Sequence, residues 1–146
     1  MKANETFCIY MAEDDIDDQQ IFKDAISSID KDLELTIFSD GVALLEALNN
    51  KKHKPNVIFL DLYMPKMNGE ETLLKIRQNS ILDRIPVVIF SNEYNIDHIS
   101  DLFEYGANRY LHKPNSFQTL TTALNRTIES IKNNTLGGTA IIKYAE

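Results

Sequence analysis

The chain has 146 residues, 43% of them hydrophobic and 25% charged, which suits one globular domain with its own core and not a disordered segment. Its net charge of −7 disfavours direct binding to nucleic-acid phosphates, which depends on clustered Lys and Arg, and the lone Cys8 excludes an internal disulfide. Met1 to Thr6 lacks the apolar centre of a signal peptide, and no apolar run approaches the roughly 20 residues of a membrane span, so a cytoplasmic location without membrane insertion is expected.

The first element is a strand over Phe7 to Ala12, a continuous apolar run of the kind buried on both faces, with Cys8 reading as a buried thiol. Ile21, Phe22, Ala25, Ile26 and Ile29 then share one face at helical spacing. Leu33 to Phe38 alternates apolar with polar, which fits an edge strand, and Val42 to Asn50 reads as a short helix. Val57 to Leu60 is a second buried strand, followed at once by Asp61. A helix over Glu70 to Gln78 is announced by Asn68 and Glu71, the two side chains of a capping box, with Gly69 serving the turn into it. Val87 to Phe90 is a third central strand, and Ile96 to Tyr105 a helix stopped by Gly106. Arg109 to His112 is short and mixed and reads as the other edge, and Phe117, Leu120, Leu124, Ile128 and Ile131 define a last amphipathic helix.

Five strands alternating with five helices and joined by right-handed crossovers make a parallel sheet covered on both sides. Three central strands with two edges fit the α/β flavodoxin-like doubly wound order 2-1-3-4-5. In such sheets ligands bind beyond the carboxyl ends of the strands, where the strand order reverses between strands 1 and 3. Glu13, Asp14 and Asp15 follow the first strand, Asp61 the third, Ser91 the fourth and Lys113 the fifth.

Carboxylates gathered this closely repel, so either one holds a proton or a cation sits among them. Oxygen ligands without a His or Cys cluster favour Mg²⁺ or Mn²⁺ over Zn²⁺, and Mg²⁺ commonly joins one or two carboxylates to a phosphate. Asp61 is then a carboxylate nucleophile that forms an acyl phosphate, with Lys113 neutralising charge and Ser91 donating a hydrogen bond to a phosphoryl oxygen.

These residues, together with Asp61-Leu62-Tyr63-Met64-Pro65-Lys66-Met67-Asn68-Gly69 and Lys113-Pro114, resemble the CheY-like receiver domain of bacterial two-component response regulators, over residues 6–133. The resemblance implies that Glu13, Asp14, Asp61 and the Tyr63 backbone carbonyl hold Mg²⁺ and that Asp61 accepts phosphate from a histidine kinase or histidine phosphotransfer protein. It implies also that Ser91 and Lys113 sense the phosphoryl group, and that Tyr110 is a switch aromatic whose ring turns inward when Ser91 moves toward the phosphate. The face of the fourth helix, fifth strand and fifth helix is then the partner surface, in a monomer or a phosphorylation-dependent dimer. Lys113-Pro114 is a candidate cis bond. Glu13 stands where the family more often has Asp, and Asn92 where it usually has a very small residue, which predicts slower or more selective phosphotransfer.

Each residue alone has a plainer reading. Asp15, Asp17 and Asp18 read as first-turn acids complementing a helix dipole, and His53, His98 and His112 as solvated or packing side chains. The tail 134–146 is too short for an output domain; it is a disordered end, an added strand or a partner contact, and a stand-alone receiver is expected. Two other functions remain as alternatives. One is a Mg²⁺-dependent phosphohydrolase with an aspartyl nucleophile, although Tyr63 stands where an Asp-x-Asp motif needs its second acid. The other is a flavin-binding module, which Glu13-Asp14-Asp15 disfavours by repelling a phosphate.

Overall fold

The computed structural model describes residues 6–50, 52–133 and 140–142. Strands β1 (Phe7–Ala12), β2 (Leu33–Phe38), β3 (Val57–Leu60), β4 (Val87–Ser91) and β5 (Arg109–His112) alternate with helices α1 (Ile16–Ile29), α2 (Gly41–Asn50), α3 (Gly69–Gln78), α4 (Ile96–Glu104) and α5 (Phe117–Lys132). They form a parallel sheet of order β2-β1-β3-β4-β5, the flavodoxin-like order that the alternation predicts, extended by one further strand, β6 (Ala140–Ile142).

The continuous apolar runs are explained by burial on both faces. In β1, β3 and β4 successive side chains enter opposite cores: Ile9, Met11, Val57, Phe59, Val88 and Phe90 pack toward α1 and α5, and Tyr10, Ala12, Ile58, Leu60, Val87 and Ile89 toward α2, α3 and α4. Edge strand β2 is only partly buried, as its alternation predicts. The helix stripes are narrower than expected, since Ile21 and Phe117 lie at their margins and remain about half exposed, and Cys8 is only partly buried.

The ends of the helices follow local chemistry. Asn68 and Glu71 form the expected capping box on α3, while Asp15, Asn95 and Ser116 cap α1, α4 and α5. Gly106 ends α4 at φ 113, where Gly106 N–H donates to Phe103 O and Ala107 N–H to Leu102 O.

Two expectations need correction. β5 is not the sheet edge, because β6 pairs beside it in parallel with Tyr110 opposite Ile141. Its mixed composition misled because Arg109 is buried yet satisfied, its guanidinium donating to Asn108 O and Ser130 Oγ. Residues 140–142 thus take the strand alternative for the tail; the remainder of 134–146 lies outside the described residues. The Lys113-Pro114 bond is trans, the lower-energy isomer of an X–Pro bond, and no cis peptide occurs among the described residues.

Candidate functional site

The parallel sheet delivers its carboxyl ends to one rim, and backbone hydrogen bonds fix their relative height. Asp61 N–H donates to Ala12 O (3.1 Å) and Lys113 N–H to Ser91 O (2.9 Å), so the residues just past β1, β3, β4 and β5 stand side by side. Gly69 backs against this rim. Its N–H donates to Leu62 O at 2.9 Å, and a Cβ there would overlap the Asp61 carbonyl oxygen, so close approach, and not an unusual turn, requires glycine. The left-handed residue of the loop is Lys66 (φ 66), spanned by a Met67 N–H to Pro65 O hydrogen bond of 2.6 Å.

Glu13, Asp14 and Asp61 each offer a carboxylate oxygen, all within 4.8 Å of one another, with Glu13 and Asp61 buried and Asp14 exposed. Lys113 joins them: its Nζ lies 2.8 Å from Glu13 Oε1, 3.0 Å from Asp18 Oδ2 and 3.8 Å from Asp61 Oδ2, and 5.6 Å from the centre of the Phe90 ring. Glu13 Oε2 accepts Asp15 N–H at 3.1 Å, and Asp61 Oδ1 accepts Leu62 N–H at 2.9 Å. Burial pushes the Glu13 carboxyl up to about 7, against the pull of Lys113, and burial likewise raises Asp61. Lys113 is pushed up by its carboxylate partners despite burial, which opposes its charge.

These donors suit a hard divalent cation. Two buried carboxylates and one exposed one form an all-oxygen set whose mutual repulsion a cation would relieve, and the set contains neither His nor Cys.

Ser91 is buried at the end of β4, and its Oγ accepts Glu93 N–H at 3.3 Å. The Tyr110 ring lies inward in this structure, 2% exposed, with its hydroxyl donating to Glu93 O at 2.6 Å. Burial pushes the Tyr110 hydroxyl above its ordinary pKa, partly offset by the neighbouring Ser91 hydroxyl. Tyr63 exposes its ring and donates its hydroxyl to Glu93 Oε2 at 2.7 Å, and Asn92 is exposed on the same loop.

Several participants were not anticipated. Asp18 is a direct partner of Lys113 as well as a first-turn acid, and Asp15 is the α1 cap. Gln19 Nε2 donates to Glu13 O at 2.6 Å and steadies the residue from α1. His98 is neither solvated nor mere packing, for its two ring nitrogens face Glu93 and Glu70. Asp18 and Gln19 lie one helical turn past Glu13, the only spacing that hints at them; nothing in the spacing of Glu70, Glu93 and His98 marks them as neighbours.

The description "Response regulator receiver domain" fits residues 9–125 by its family model. The chain is 33% identical to response regulator Rcp1 of Synechocystis over 124 residues, covering 82% of this chain and 84% of Rcp1. It is 30% identical to the probable methanogenesis regulatory protein FilR2 of Methanothrix harundinacea, over 94% of this chain and 88% of FilR2. Among solved structures, the Mn²⁺-bound form of Rcp1 superposes with a TM-score of 0.74 at 33% identity, covering 85% of this chain and 92% of that one. The phosphorylated cyanobacterial phytochrome response regulator RcpA superposes at 0.79 and 27% identity, covering 90% and 96%. Receiver domains bind a divalent metal and are phosphorylated by histidine kinases or phosphotransfer proteins, and the phosphohydrolase alternative finds no support among these relatives. The chain belongs to the response regulator receiver family, the phosphoryl-accepting switches of two-component signal transduction.

Proposed function

We propose that Asp61 is the phosphoryl acceptor, with Glu13, Asp14, Asp61 and the Tyr63 backbone carbonyl holding Mg²⁺, or Mn²⁺ in its place. The observation that carries this reading is a buried carboxylate at the end of a central strand, 3.8 Å from a lysine and grouped with two further acids. Nothing in packing calls for such a group, since an apolar residue at Asp61 would serve the core at lower desolvation cost.

In the transfer, a P–O bond forms to an Asp61 carboxylate oxygen as the P–N bond of a phosphohistidine breaks, and the leaving imidazole nitrogen takes up a proton. Bound Mg²⁺ would supply neutralising charge on the phosphoryl oxygens. Lys113 supplies a second positive charge from the side of β5, and its contact with Asp18 would keep it in reach if Glu13 held the metal. Ser91 accepts from Glu93 N–H, which leaves its own proton to donate to a phosphoryl oxygen. Tyr110 would read that movement, and the output surface is the face of α4, β5 and α5, beside which β6 lies.

The receiver domain is proposed to run over residues 6–133, with β6 from the tail added to its sheet, and to act in the cytoplasm as a binding switch without turnover of a separate substrate. No helix among the described residues is long and apolar enough to cross a membrane. RcpA is described as a phytochrome response regulator and RtBRR as a bacteriophytochrome one, so a phytochrome-type histidine kinase is the first donor to test.

Acetyl phosphate and Mg²⁺ should add one phosphoryl group, stable to acid and labile to base. Asp61→Asn should abolish the addition, and a modification that persists in Asp61→Asn would overturn the assignment.

A further inference from the structure

Glu93 lies two residues past Ser91 in the loop between β4 and α4, and all of its polar groups are engaged. Its N–H meets Ser91 Oγ, and its carbonyl accepts the Tyr110 hydroxyl. Its Oε1 accepts the N–H groups of Tyr94 (3.1 Å) and Asn95 (3.0 Å), and its Oε2 accepts Tyr63 Oη and faces His98 Nδ1 at 2.9 Å. His98, in the first turn of α4, presents its other nitrogen to Glu70 Oε1 of α3 at 3.1 Å.

An imidazole that faces carboxylate oxygens with both nitrogens carries a proton on each, because a bare ring nitrogen would set lone pair against lone pair. The charged groups facing His98 from other elements are Glu93 from the loop and Glu70 from α3; Asp97 and Asp101 are its neighbours on its own helix. The contact with Glu93 is the first cause that raises His98, and the same contact is the first that holds Glu93 down at about 2. Tyr63, Glu93, His98 and Glu70 thus form a chain of contacts that ties the loops after β3 and β4, where Asp61 and Ser91 emerge, to α4 and α3.

We propose that His98 is a positioning residue of the phosphorylation switch: as an imidazolium shared by Glu93 and Glu70, it fixes the loop that offers Ser91 an N–H and Tyr110 a carbonyl, and so favours the inward Tyr110 arrangement that accompanies phosphate on Asp61. This rests on the Asp61 reading above. The charge is fully present below the ordinary imidazole value of about 6.5 and is lost as pH rises through the raised value of the folded protein. A neutral ring satisfies only one of the two carboxylates, and the loop loses an anchor. By reciprocity, a ligand that favours the inward arrangement tightens the His98 proton.

The test uses the whole chain with Mg²⁺ and beryllofluoride, a phosphoryl mimic, titrated calorimetrically between about pH 6 and pH 9 into the parent protein and His98→Gln. Effects of pH on the reagent and on Glu13 are common to both proteins and cancel in the ratio of affinities. That ratio, parent over variant, should be highest at pH 6 and fall about fivefold by pH 9, at the low end of usual coupling between sites. In the parent, the His98 ring observed by NMR should titrate at higher pH with beryllofluoride than without it. A ratio that is flat or rises with pH, or a His98 titration that the mimic leaves in place or lowers, overturns the proposal. Failure of the parent to bind beryllofluoride, or equal binding by Asp61→Asn, overturns the Asp61 reading and this inference with it.

Discussion

Lys113 sits among three carboxylates, and how they share it decides what each can do. Glu13 is long enough to reach Lys113 at 2.8 Å while its other oxygen accepts the Asp15 N–H, so a metal ion must compete with an ammonium for it. Asp14 is the exposed member of the cluster and has no such rival among the described residues. Asp14→Ala should therefore weaken Mn²⁺ or Mg²⁺ binding at least about tenfold, or 1.4 kcal/mol. Asp17→Ala, three residues further along an exposed helix face, should change it less than about twofold; calorimetric titration with Mn²⁺ measures both, and equal losses would reject the assignment. Asp61 was readable because a carboxylate closing a strand buried on both faces has no packing reason to be there. Asp18, Gln19, Glu93 and His98 were not, because their partners depend on how far flexible side chains reach between loops, and spacing along the chain does not encode that reach.

Elements were the most readable level, because strands covered on both faces must be apolar throughout and helices covered on one face must repeat near 3.6 residues. The error at β5 came from the same rule: a buried arginine with hydrogen-bond partners looks, in sequence, like an exposed one. How elements lock together is less visible. Arg77, on α3, donates from Nε to Gly106 O (2.9 Å), from Nη1 to Asp83 O (3.2 Å) and from Nη2 to Asn108 Oδ1 (2.8 Å), fastening α3 to the turn between α4 and β5. Arg77→Met keeps the length but deprives these acceptors, and should lower stability by about 1–3 kcal/mol in urea unfolding. Arg77→Lys should recover less than half of that, since one ammonium cannot reproduce the fork. Gly69→Ala acts at a different junction. The new Cβ would press on the Asp61 carbonyl and Leu62 Cα. It should cost about 1–3 kcal/mol by overpacking and also reduce acetyl phosphate labelling, because the displaced atoms carry the acceptor. Full labelling of a destabilised Gly69→Ala protein would show that the rim tolerates the shift.

At the scale of the molecule, two apolar cores hold one sheet, and the sheet holds a set of acids whose repulsion works against the fold. The sign follows from the direction of the shifts. Burial raises Glu13 to about 7 in the folded protein from its ordinary 4.5, and Asp61 moves the same way. Between these two values the folded chain keeps a proton that the unfolded chain has released, so metal-free stability falls as pH rises from about 4.5 to 7 on account of Glu13. A divalent cation needs the ionised carboxylate and binds the folded state, so it stabilises by about 2.7 kcal/mol when present at one hundred times its Kd. Below pH 7 it must first displace the Glu13 proton, and its apparent affinity drops by up to about tenfold per pH unit. The increase in Tm caused by Mg²⁺ should therefore be larger at pH 8 than at pH 6, and the metal-free protein should show the opposite trend in Tm itself. Glu13→Gln removes the titrating group and should flatten both dependences while leaving the contribution of Asp61, which has the same sign. Thermal unfolding of the parent and Glu13→Gln, with and without Mg²⁺ at the two pH values, measures all of these, and a Mg²⁺ effect in the parent that is equal at pH 6 and pH 8 would place the displaced proton elsewhere than on Glu13.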